Sequence, residues 1–151
     1  VQTHTRLVKP SDLPDRYTLL RRPEAAAHFH RATKTLDRWI ADGAMPCIRI
    51  GPRVLIRRST VTAYLDALNP EAPAHRGEAT AMPTGEVYIS LNNAAAVLGL
   101  HRNTVDELTR SGDLPRLRFG RSRVIPVAAL ADLIDTHAVP ATVGPLAGRD
   151  A

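Results

Sequence analysis

Cysteine is almost missing from this chain. Cys47 stands alone among 151 residues, which excludes an internal disulfide and any cysteine-rich zinc site and leaves it the role of a strand residue. Aromatic residues make up only 4 % of a chain that is 44 % apolar, so any core must be built largely from aliphatic side chains. No apolar run approaches the roughly 18 residues of a membrane-crossing helix, and no charged-then-apolar leader is visible; the expected location is the cytoplasm. His28 and His30 diverge on a helix, while His4, His75, His101 and His137 are scattered. There is no glycine-rich phosphate loop, carboxylate cluster or Ser, His and Asp set. The expectation is a non-enzyme with no cofactor and no metal.

What the chain does have is positive charge. Its formal net charge is +5, which favours a polyanionic partner. Only Lys9 and Lys34 are lysine, a bias that can reflect a GC-rich genome. Pattern is therefore more telling than arginine count.

The pattern is densest from Glu24 to Arg58. Ala26 and Phe29 form the inner face of a first helix. Leu36, Trp39 and Ile40 fall at i, i+3 and i+4 on the buried stripe of a second. Thr33, Lys34, Thr35, Asp37 and Arg38 lie around the rest of that second helix, a short basic surface suited to a DNA major groove. Gly43 suits a left-handed C-cap and Pro46 prevents the helix from resuming. Cys47 to Ile50 alternate as a half-buried strand, Gly51-Pro52-Arg53 turns, and Val54-Leu55-Ile56 returns. Arg49, Arg53, Arg57 and Arg58 decorate that hairpin as a phosphate-holding wing. Ser59 or Thr60 is placed to cap a third helix with Val61, Tyr64 and Leu65 inward.

The ordered series LLRRPEAAAHF, TLDRWI, DGAMP and IRIGPRVLIRR resembles the small winged helix-turn-helix of phage and plasmid excisionases and of the DNA-reading head of MerR-type regulators. It departs from that family at Arg21 and Ala32, where a Thr or Ser usually caps each helix. The resemblance implies double-stranded DNA as partner.

The pattern then recurs. Sliding the sequence by 69 residues aligns 17–65 with 86–134 without a gap. Ten positions are identical, among them Thr35/Thr104, Asp37/Asp106, Gly43/Gly112, Pro46/Pro115, Arg49/Arg118 and Gly51/Gly120. Such a match reads as domain duplication. In the second copy Ser90 supplies the first-helix cap, and Leu98-Gly99-Leu100 makes the turn. Its second helix buries Val105 and Leu108. His101, Arg102, Asn103, Thr104 and Asp106 are its DNA-facing candidates, with Arg116, Arg118, Arg121 and Arg123 on the wing. Asn103 and Arg102 suit paired hydrogen bonds to adenine and guanine edges. Asp37 and Asp106 can accept from cytosine, but holding a nearby basic side chain is the favoured role: Lys34 or a wing arginine in copy one, Arg102 or Arg110 in copy two. Residues 17–68 carry nine basic and four acidic residues, and 86–137 carry six of each, so copy one should supply more of the salt-sensitive attraction.

The expected fold is mainly α with small β wings: two tandem winged helix-turn-helix domains, 17–68 and 86–137. A flexible arm at 1–16, a Pro-rich linker at 69–85 and a flexible tail at 138–151 complete it. The linker, fully extended, outreaches the roughly 34 Å between major grooves. The expectation is a sequence-specific DNA-binding protein at the nucleoid, reading a bipartite site as a monomer or a cooperative array. By resemblance it is an excisionase-like recombination directionality factor or a small transcriptional regulator. The long dimerising helix and ligand domain of full MerR-type regulators are not seen, so no small-molecule effector is expected. The alternative is an interaction module: the first domain anchors on DNA and the second recruits a protein such as an integrase or RNA polymerase.

Overall fold

A computed structural model describes residues 5–68, 82–83, 86–119 and 121–143. A strand β1 (Thr5–Leu7) and two 3-10 turns at Pro10–Asp12 and Asp15–Tyr17 come first. A first unit follows: β2 (Leu19–Arg21), α1 (Arg22–His28), α2 (Thr33–Ala41), β3 (Cys47–Ile50), β4 (Arg53–Arg57) and α3 (Arg58–Leu68). The second unit is β5 (Glu86–Ser90), α4 (Leu91–Leu98), α5 (Arg102–Arg110), β6 (Leu117–Phe119), β7 (Ser122–Pro126) and α6 (Val127–Thr136). A short β8 (Ala138–Val139) comes last.

The element order repeats, and four of the six corresponding elements begin at one spacing. α1 and α4 begin at 22 and 91, α2 and α5 at 33 and 102, β4 and β7 at 53 and 122, and α3 and α6 at 58 and 127, each 69 apart. Strand register repeats as well: Ile48 pairs with Leu55, and Leu117 with Val124. Gly43 (φ +77) and Gly112 (φ +89) follow the second helices in the left-handed conformation that lets the chain turn into the hairpin.

Local capping differs between the units. Ser90 Oγ accepts from the N–H of Asn93 at 3.2 Å, the expected cap of α4. α1 has no such side chain; instead Glu24 accepts from the N–H of Arg21 at 3.1 Å. The third helix starts at Arg58, directly after β4, so the expected Ser59 or Thr60 cap is corrected. The N–H of Arg58 is satisfied by the carbonyl of Thr18 at 2.8 Å.

The first unit has its own core, in which Ala25, Ala26, Phe29, Leu36, Trp39, Ile56 and Val61 are buried. Phe29 meets Trp39 edge to face at 5.5 Å between ring centroids. The other face of its hairpin belongs to a second core. There Ile48, Ile50 and Leu55 pack with Leu91, Leu98, Val105, Leu130 and Ile134 of the second unit. The two units therefore share an interior, which corrects the expectation of two heads free on a tether.

Both terminal segments reinforce this union. β1 pairs in parallel with β5, and Val8, Leu13 and Tyr17 are buried in the shared core, so the expected loose arm at 1–16 is corrected from Thr5 onward. Apolar side chains at these positions have somewhere to go once the second unit is present. β8 pairs with β3, joining Cys47 to Val139 and Ile48 to Ala138. The N–H groups of Thr142 and Val143 both reach the carbonyl of Gly43. The expected flexible tail is corrected over 138–143; 144–151 and 1–4 lie outside the described residues. The linker assigned to 69–85 also lies outside them, except for Met82 and Pro83, and Met82 packs on the shared core. The resulting sheets run β1-β5-β7-β6 and β2-β4-β3-β8.

Candidate nucleic-acid interface

In the second unit, Val105 is fully buried and Leu108 packs beside it, which fixes the rotation of α5. Arg102, Asn103, Glu107 and Arg110 are consequently exposed, with Thr104 and Asp106 half-buried. His101 is exposed yet serves the fold, because its Nδ1 accepts from the N–H of Asn103 at 3.1 Å and caps the helix.

Asp106 ties this helix to the hairpin. One carboxylate oxygen meets Arg110 one turn on at 2.9 Å; the other takes Arg116 at 3.2 Å and Arg123 at 3.3 Å. The orienting role is thus the observed one: of the two expected objects Arg110 is held and Arg102 is not, and the wing arginines Arg116 and Arg123 are added. Beside it lies an open polar hollow lined by Ser90, Asn92, Arg102, Arg121, Ser122 and Arg123. Arg102, Arg121 and Arg123 border it beside the start of α4, a concentration of positive charge suited to a phosphate. Arg118 is exposed on the hairpin, directly across from Arg123. Val124 and Ile125, adjacent in β7, are both fully buried on its opposite faces.

In the first unit Lys34 and Arg38 are exposed, while Thr33, Thr35 and Asp37 are half-buried. Asp37 pairs with Arg22 at 3.0 Å, not with Lys34 or a wing arginine. The first hairpin departs most from expectation. Arg49, Arg53 and Arg58 are exposed, but Arg57 points into the junction between the units, where it meets Asp135 at 2.8 Å and the carbonyl of Arg16 at 2.7 Å. Arg57 is corrected from phosphate holder to a tie across the junction. With β8 on its edge and the shared core beneath it, this hairpin is a dock as much as a wing.

That junction also perturbs ionisation. Burial works against the charged form of Asp135, but hydrogen bonds from Tyr17 and Arg57, and the charges of Arg57 and Arg16, outweigh it and hold its carboxyl below the usual value. Burial, then the hydrogen bond and charge of Asp135, push the Tyr17 phenol up. Burial likewise raises the Cys47 thiol, in keeping with an unreactive strand residue.

The sequence reading missed Arg22, Asn92, Ser122 and the Tyr17, Arg57 and Asp135 group. The Ser90 cap was the available signal for Asn92, since it places that residue in the first turn of α4. Nothing local marks Asp135 as a partner of a residue 78 positions earlier.

A family model described as a helix-turn-helix domain matches residues 88–138, from within β5 to the first residue of β8. This part of the chain is thus similar to helix-turn-helix domains, a likeness that suggests DNA binding. No curated protein and no solved structure matches the chain. Among the described residues no helix is long and apolar enough to cross a membrane.

Proposed function

We infer that this chain is a sequence-specific reader of double-stranded DNA whose principal reading surface is α5 with the β6–β7 hairpin. The observation that carries this reading is that Arg102, Arg121 and Arg123 line one hollow beside the exposed Arg102-Asn103 end of α5. A backbone phosphate in the hollow sets the register, and Arg102 and Asn103 read base edges. Lys34 and Arg38 on α2 add a second contact from a unit held in fixed relation to the first by the shared core. Spacing between the two contacts is then a property of a single body, not of a linker. The spacing of 69 between all three pairs of corresponding helices supports descent of both units from one duplicated winged helix-turn-helix.

The role is that of a non-catalytic accessory factor, either excisionase-like in recombination or a small transcriptional regulator. Selection of bound duplexes from a random pool tests the reading. Enriched sites should hold one strong motif for α5 and a second, weaker one at invariant spacing. Sites whose two motifs tolerate variable spacing would contradict a fixed body, and no enrichment at all would contradict sequence reading.

A further inference from the structure

The two hairpins share register but not surroundings. On the first, β3 is an interior strand: the N–H of Arg49 donates to the carbonyl of His137 at 3.0 Å, and β8 continues the sheet. Beneath it Ile48 is 1 % exposed. On the second, β6 is the last strand of its sheet among the described residues, and Leu117, the counterpart of Ile48, is 42 % exposed. Arg49 lies opposite Val54, and Arg118 lies opposite Arg123, so Arg118 turns its N–H toward the open side of β6 as Arg49 does toward β8. Among the described residues, the chain thus carries one edge that accepts an added strand and one corresponding edge that is vacant.

Charge selects the occupant. Arg116 and Arg118 alternate with Leu117, and Arg123 flanks Arg118 on the same face. A second copy of this hairpin would set arginine against arginine, and the other edge strand of the sheet, β1, brings Arg6. Like charges directly opposite one another destabilise a ladder. We propose that the outer edge of β6 is a strand-addition site for an extended segment of a partner protein in which acidic and apolar residues alternate. The acidic residues face Arg116 and Arg118, the apolar ones cover Leu117, and main-chain hydrogen bonds supply the alignment. The site goes beyond DNA reading and does not depend on it.

A synthetic eight-residue peptide of alternating Glu and Val, titrated into the full chain, tests this by amide hydrogen exchange. With peptide at about ten times its Kd, the Arg118 amide should exchange about tenfold more slowly. The same peptide with proline at its two central positions should give no protection. Arg118→Pro, which removes the outward N–H at an edge position where proline is tolerated, should abolish binding while thermal melting is retained. Should that variant melt early, Leu117→Lys replaces it, and binding should again be lost. No protection of Arg118, or equal binding by the proline peptide, overturns the proposal; the latter means the arginines attract any polyanion. Protection of Arg118 that grows with protein concentration alone also overturns it, in favour of a second copy.

Discussion

Arg57 and Asp135, 78 residues apart in sequence, meet at 2.8 Å where the two units join, and the hydroxyl of Tyr17 donates to the other oxygen of the same carboxylate at 2.8 Å. One side chain from the first unit and one from the N-terminal segment thus close on a single anion of the second unit. Its consequence for stability has a definite sign. The folded-state pKa of Asp135 is depressed, so its contribution is fully present above the ordinary carboxylate value and disappears as pH falls through the depressed one. Asp135→Asn should lower stability near neutrality by about 0.5–1 kcal/mol, the pair being half open to water, and should flatten the acid limb of the stability profile. Thermal melts of both proteins between about pH 2 and pH 7 check this; parallel acid limbs would refute it.

The shared interior predicts joint unfolding. Leu55→Ala removes a buried side chain of the first unit that packs against the second, and should cost about 2–5 kcal/mol. Urea unfolding followed by Trp39 fluorescence, a probe inside the first unit, should coincide with unfolding followed by far-UV circular dichroism in both wild type and variant. Separated transitions would mean that each unit stands alone.

Gly99 gives a sharper test of the same junction. Its φ is +64, and a Cβ there would lie 3.3 Å from a methyl carbon of Leu55. Gly99→Ala should destabilise by about 1 kcal/mol or more through backbone strain alone, and pairing it with Leu55→Ala should recover part of the additional steric cost. A double-mutant cycle measured by urea unfolding would detect that coupling as a non-zero interaction energy.

Asp106 holds Arg116 and Arg123 while contributing negative charge to the proposed reading surface. Asp106→Asn should raise affinity for random duplex on the order of 2–5-fold at low salt and narrow the gap between preferred and random sequence. Fluorescence anisotropy against both duplexes is the measurement, and an unchanged ratio would leave Asp106 without an orienting part in recognition.

Arg121 and Asn103 should fail in different ways. Arg121→Ala should weaken all duplexes alike and reduce the salt slope by about 1, as loss of one phosphate contact does. Asn103→Ala should cost about 1–3 kcal/mol on the preferred site and little on random DNA. Titrations across a salt series distinguish the two patterns.

Much of this architecture was legible because it is local. The stripe of Leu36 and Trp39, the left-handed Gly43 and the Ser90 cap are all written in short-range spacing, and the structure contains each of them. Exposure of Lys34, Arg38, Arg102 and Asn103 followed from the same periodicity. What escaped was every long-range pairing. Residues 5–17 lack any pattern of their own because their partner, β5, lies some eighty positions on, and Leu7 can remain exposed while Val8 is buried. Arg57 read as a wing residue because alternation along β4 says which face it occupies but not what covers that face.

The crossed attachment of β1 to the second unit and of β8 to the first has a bearing on synthesis. A ribosome delivers β3 long before the strand that will flank it, so a nascent chain holds a bare sheet edge and uncovered Ile48, Ile50 and Leu55 until almost all the described residues have emerged. Productive folding must then be a late event, and the interval before it is the period in which this polypeptide is most open to capture by chaperones or by a neighbouring copy still on its own ribosome.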